Sequence, residues 1–241
     1  MTTNNNVIEL ADIYIEVVKK NIKNVHLSVH PPKGRVTIAA PMTMPLETIR
    51  LFCVSKLNWI RKQQIKHINQ KREPVREYVT RESHYYLGKR YLLKVFEEKT
   101  ILKVSLKHST IELHVKPKTA RAHKEALLNR WYKSQLKETV ASLIIKYEKT
   151  MKVKVSGVLV RNMKTMWGNC HAEDRNIVLN TELAKKSIES IEYVLVHEMV
   201  HLLERKHNDK FIKYMDKFLP KWRHLRTELN RSALGHVEWS Y

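Results

Sequence analysis

Cysteine is almost missing from this 241-residue chain: Cys53 and Cys170 stand far apart, with no C-x-x-C spacing. That argues against a disulfide framework and suits a reducing cytoplasm. Long apolar runs are missing too. No stretch approaches the roughly eighteen residues of a membrane span, so no membrane partner is expected. The opening Met-Thr-Thr-Asn-Asn-Asn is polar and uncharged, with no apolar stretch behind a basic cluster, which reads as a soluble, cytoplasmic protein without a secretory leader. Neither an internal repeat nor a low-complexity segment is evident.

Acidic residues are in deficit, 24 against 45 Lys and Arg, for a formal charge of +21 and a pI near 9.9. The excess is 22 − 10 = +12 over residues 1–118 and 23 − 14 = +9 over 119–241, so it is no tail. Such a balance points to polyanionic partners or acidic substrates, and nucleic acid bound through a basic surface is one candidate. A generally basic solvated surface explains the same numbers. No aromatic-basic run resembles an RNA-binding signature, so base-specific readout has no support.

With 43% hydrophobic residues the chain can build one large core or two small ones. Ile13, Ile15 and Val17, then Val25, Leu27 and Val29, alternate as strands do, and the run from Arg35 continues the pattern after a Pro-Pro-Lys-Gly turn. Pro45 opens a helical segment to about residue 70, with Trp59 expected to anchor it. Short strands follow near 91–95, 102–106 and 111–115, after a hairpin-like turn at 85–90. Residues 119–150 read as one long helix with Leu127, Leu128, Trp131, Leu136, Val140, Leu143 and Ile144 inward. Strands at 153–161 and 176–179 flank a turn containing Trp167 and Cys170. Asn208 can cap a helix to about Phe218, and Pro220 starts the last one. The order of elements is α+β. It divides into a strand-rich module over 1–117 and a second domain over 118–241.

The chemistry lies in residues 197–207, His-Glu-Met-Val-His-Leu-Leu-Glu-Arg-Lys-His. On a helix His197 and His201 leave the same face one turn apart, and Glu198 reaches a water held beside them. With His207 as third ligand, one divalent ion keeps an open position, as a catalytic zinc does. Residues 187–203 lack Gly and Pro and are apolar nearly all round, so this helix should be largely buried. Polar groups inside a buried helix are costly unless something binds them. A core helix with hydrogen-bonded histidines is the competing explanation. An unbroken helix would put His207 on the wrong face, so the helix must end near 203–206.

Trp167-Gly168-Asn169-Cys170, Ile177-Val-Leu-Asn, and Tyr193-Val-Leu-Val-His-Glu-Met-Val-His-Leu with His207 and Phe211 together resemble the YgjP-like metallopeptidases, relatives of the SprT-like and WLM zinc proteases. The resemblance implies a zincin-like domain, a long helix and a metal helix on a small sheet. It further implies zinc bound by His197, His201 and His207, Glu198 as general base, and hydrolysis of a protein or peptide substrate. Glu204 stands where metzincins carry a glycine, which favours the YgjP-like and SprT-like families and leaves open how the backbone brings His207 round.

An edge of the sheet before the metal helix can receive an extended peptide. Trp167 is a candidate substrate contact, although large aromatics mostly anchor cores. Tyr193 and Tyr214 are candidates for oxyanion stabilisation, and Cys170 and His171 for structural roles. A reading from another class is a basic DNA-associated adaptor with a structural or vestigial zinc site. Against it, structural zinc is normally closed by four protein ligands, and a decayed site would more often lose Glu198.

Overall fold

The computed structural model describes residues 6–31, 33–69, 75–99, 102–163 and 166–232. They fall into two compact units, residues 6–69 in the first and residues 75–232 in the second.

In the first unit β1 (Asn6–Leu10), β2 (Ile13–Lys20), β3 (His26–His30) and β4 (Arg35–Pro41) form a sheet in the order β1-β2-β4-β3. The central pair β2/β4 is parallel and both outer pairs are antiparallel. Alternation places Ile13, Ile15, Val17, Val36, Ile38 and Ala40 on one buried face, covered by Ile49, Cys53 and Ile60. Those last three come from two helices rather than the single one expected: α1 (Leu46–Ser55) and α2 (Leu57–Asn69). The break is at Lys56, whose backbone (φ −105°, ψ 6°) leaves the helical region while its N–H bonds Cys53 O at 3.0 Å. Breaking there brings Ile60 inward and leaves Trp59 43% exposed, so its neighbour and not the tryptophan anchors the helix.

The second unit opens with β5 (Ser83–Tyr86), β6 (Lys89–Glu97), β7 (Lys103–Leu106) and β8 (Thr110–Val115), ordered β5-β6-β8-β7. Again the central pair is parallel and the outer pairs antiparallel. Two sheets of one topology therefore succeed each other in a chain whose sequence shows no repeat. Patterning grouped this second sheet with residues 1–117. By contacts it joins the carboxy-terminal elements instead, because it packs on α3 (Arg121–Met151). Tyr132 Oη donates to Tyr85 O at 2.8 Å, and Tyr86 Oη donates to Gln135 Oε1 at 3.0 Å.

The buried stripe of α3 is Leu128, Tyr132, Leu136, Val140, Tyr147 and Met151, a spacing of four or seven throughout. Two of these are tyrosines where the sequence favoured leucines and Trp131. Each can be buried because its hydroxyl finds an acceptor, Tyr85 O for Tyr132 and Glu192 Oε1 (2.8 Å) for Tyr147. Lys152, at φ 57°, ends the helix with its N–H on Glu148 O.

A three-stranded sheet comes next, β9 (Gly157–Arg161), β10 (Gly168–His171) and β11 (Asn176–Asn180), in the order β10-β11-β9 with β10 at an edge. A 3-10 turn over Thr181–Lys185 leads to α4 (Ile188–Val200), then α5 (Asp209–Phe218) and α6 (Trp222–Arg231). Helix α4 packs against α3, α5, α6 and the strands β10 and β11. The fold is α+β, and in its second unit the long helix α3 and helix α4 pack on a small sheet.

The β5–β6 hairpin docks on the start of α4. Its two-residue loop, Leu87-Gly88, has φ of 46° and 77°, as a tight hairpin of the right twist requires. Leu87 N donates to Ala184 O at 2.9 Å, and a Cβ at Gly88 would meet Ser187 Cα at 3.2 Å. This loop thus touches the residue whose hydroxyl caps α4 by accepting from Ser190 N.

Candidate metal centre

Helix α4 is apolar almost all round, with Ile191, Val194, Leu195, Val196, Met199 and Val200 buried, as its sequence predicts. Its carboxy-terminal half, from Val194 on, carries two polar residues, His197 and the 6%-exposed Glu198. Regular helix stops at Val200, and the chain tightens into three-residue turns, Leu202 N to Met199 O at 3.1 Å and Leu203 N to Val200 O at 2.8 Å. No residue from 201 to 208 has a positive φ. That explains Glu204 in place of glycine: the turn never enters the left-handed region. Its side chain instead supports the turn, accepting from Lys206 N at 3.2 Å. Asn208 then caps α5 by accepting from Phe211 N at 3.1 Å, which brings His207 back beside the end of α4.

The ring nitrogens of His197, His201 and His207 lie within 4.8 Å of one another. His197 Nε2 and His207 Nε2 are 3.0 Å apart. Two imidazole nitrogens at that distance need a shared proton or a cation between them. His201 Nδ1 stands 3.1 Å from Glu204 O. His197 Nδ1 is buried with no hydrogen-bond partner among the described residues. Phe211 closes the floor, its centroid 4.9, 4.8 and 4.7 Å from the three rings in chain order.

Burial, then the neighbouring His201 and His207, push the His197 pKa down to about 3, and burial lowers that of His201. Both rings are neutral at pH 7, with lone pairs to give. Three clustered imidazoles suit a borderline divalent ion, so the residues present fit a metal. Burial raises the Glu198 pKa to about 8. Its carboxylate lies against the edge strand: a Cβ on Gly168 would come within 2.6 Å of Glu198 Oε1. That glycine was not singled out in the sequence, because the segment around Trp167 and Cys170 reads there as a turn, whereas Gly168 heads strand β10.

Trp167 is 1% exposed, with the Lys186 ammonium 5.5 Å from its ring centroid, so it fills the core and has no surface to offer a substrate. Tyr193 is buried edge-on to His197 at 6.0 Å, and Tyr214 stacks on Phe218. Cys170 is half-buried near Glu198, its thiol pushed up to about 11 by burial first and that carboxylate second. Neither Cys170 nor His171 joins the histidine cluster. Asn180, fully buried, donates through Nδ2 to Met163 O and Met166 O, both at 2.8 Å, and so secures the approach to β10.

A trio of clustered imidazoles beside a buried carboxylate, on a helix packed against a small sheet, has the donor set of a metallohydrolase. The chain belongs to the YgjP-like family: the model of the YgjP-like metallopeptidase domain matches residues 23–232. No curated protein matches it. Among solved structures it is similar to the metallopeptidase zymogen of Pyrococcus abyssi abylysin, at 20% identity and a TM-score of 0.35, over 39% of this chain and 99% of that one. It is similar also to the metallopeptidase zymogen of Methanocaldococcus jannaschii jannalysin, at 16% identity and a TM-score of 0.31, over 41% of this chain and 92% of that one.

Proposed function

We propose that this chain is a zinc-dependent peptidase in which His197, His201 and His207 hold the ion and Glu198 is the general base. The observation that carries this reading is the convergence of three ring nitrogens within 4.8 Å beside a buried carboxylate. When bound, zinc supplies a Lewis acid that polarises the scissile carbonyl and acidifies a water. Glu198 takes a proton from that water and returns it to the leaving amine nitrogen. Burial alone would keep Glu198 protonated at neutral pH, and a cation beside it favours the carboxylate that a base requires.

The substrate is a protein or peptide lying extended along the free edge of β10. Asn180 N donates to Trp167 O at 2.9 Å, so Trp167 and Asn180 form a hydrogen-bonded pair. Antiparallel alternation then turns the N–H and C=O of Gly168 and Cys170 away from β11, towards the open side. A peptide strand pairing there runs past Glu198, bound through its main chain and so tolerant of varied side chains.

Both cysteines are free, which supports a cytoplasmic setting. Among the described residues no helix is long and apolar enough to cross a membrane. The DNA-associated adaptor rests on the charge of +21 alone. Binding of generic duplex DNA with affinity falling steeply in salt would favour it. The deciding experiment is zinc analysis of the purified protein with a peptide-library digest, wild type beside Glu198→Gln. Cleavage by the zinc-loaded wild type only is expected; equal cleavage by the variant would remove Glu198 from its role.

A further inference from the structure

Strand β10 carries a glycine where a strand gains nothing from one. The residue lacks a side chain to pack and loses more backbone freedom on folding than any other. The chain has only 5 glycines, which makes the placement informative. A Cβ at 168 would stand 2.6 Å from Glu198 Oε1, 2.8 Å from Cγ and 3.0 Å from Cδ. The far half of the Glu198 side chain thus occupies the volume that any other residue at 168 would fill. Glu198 cannot simply swing aside, because it is 6% exposed and its helix is packed by Ile191, Leu195, Met199 and Val200.

We propose that Gly168 is a positioning residue, its missing side chain forming the seat that holds the Glu198 carboxylate against the edge strand. This rests on the peptidase reading above. The seat couples the two halves of the reaction: the strand that pairs with the peptide main chain also fixes the group that moves the proton. Any side chain at 168 displaces the carboxylate while leaving the three histidines, which lie in residues 197–207, in place. Gly157 of β9 provides a contrast in the same sheet, since a Cβ there approaches closely only Asn176 Oδ1, at 2.8 Å.

The test combines kinetics with a thermal cycle. In zinc-loaded Gly168→Ala, kcat on a peptide substrate should fall about 100-fold, with KM within about threefold of wild type and zinc content unchanged. Gly157→Ala should keep kcat. In metal-free protein Gly168→Ala should lower Tm by several degrees, and that loss should vanish when Glu198→Ala empties the seat. A kcat within about threefold of wild type overturns the proposal, and so does an equal Tm loss with and without the Glu198 side chain. A wild type inert towards peptides would sink the peptidase reading, and the thermal cycle would still decide the Gly168–Glu198 contact.

Discussion

His201 Nδ1 faces the backbone carbonyl of Glu204 at 3.1 Å. A carbonyl only accepts, so Nδ1 carries the ring proton and Nε2 keeps its lone pair for a metal. The ring's direction is set by the turn that ends α4, which makes the shape of that turn part of the ligand set. His201→Ala should reduce zinc affinity at least about 100-fold, read by competition with a chromogenic chelator. Unchanged affinity would place the third ligand elsewhere.

Glu198 sits outside the ligand set, so Glu198→Gln should retain zinc while kcat falls about 10²–10⁴-fold. Metal analysis and single-turnover cleavage of one peptide measure both quantities. Joint loss of zinc and activity would make the residue a ligand instead of a base.

Phe211 is buried and in ring contact with all three histidines. Truncation to alanine should cost about 3–5 kcal/mol in denaturant unfolding and weaken zinc binding as well, because the floor beneath the imidazoles is removed. Phe211→Leu keeps most of the volume and should lose less of both.

On the proposed reading, zinc held by His197, His201 and His207 would tie the end of α4 to the start of α5. Chelation should therefore lower Tm, by an amount corresponding to about 2.7 kcal/mol where free zinc is a hundred times its Kd. His207→Ala should have a Tm that chelator barely changes. A wild-type Tm insensitive to both zinc and chelator counts against a resident ion.

Asn180 satisfies two backbone carbonyls from within the core. Asn180→Ala should cost about 1–3 kcal/mol for each acceptor left buried and unpaired, seen in denaturant unfolding monitored by tryptophan fluorescence. A near-neutral change would mean that the approach to β10 is held by other contacts.

What could be read in the sequence was local. The run over 187–203 announces a buried helix by its own periodicity, the four-residue step from His197 to His201 puts both on one face, and Asn208 marks the start of α5. What escaped depends on partners distant along the chain. Gly168 and Glu198 are 198 − 168 = 30 residues apart, and nothing beside either one announces the other. The break at Lys56 carries neither Gly nor Pro, so the span over α1 and α2 reads as one helix and Trp59 is assigned to a core that Ile60 enters. Tyr132 and Tyr147 read as less apolar than their leucine neighbours until their hydroxyl acceptors are known. The shared topology of the first two sheets lies in pairing order, which alternation cannot encode.

All three imidazoles belong to one stretch of eleven residues, 197–207, closed by a single turn, whereas the seat of the carboxylate comes from a different strand. On the proposed reading, capture of an ion would need little more than that short loop, and turnover would need the sheet in register as well. Damage to the sheet that spares the loop would yield a fully loaded protein with no hydrolytic capacity, so metal stoichiometry by itself is a poor measure of how much of a preparation is active.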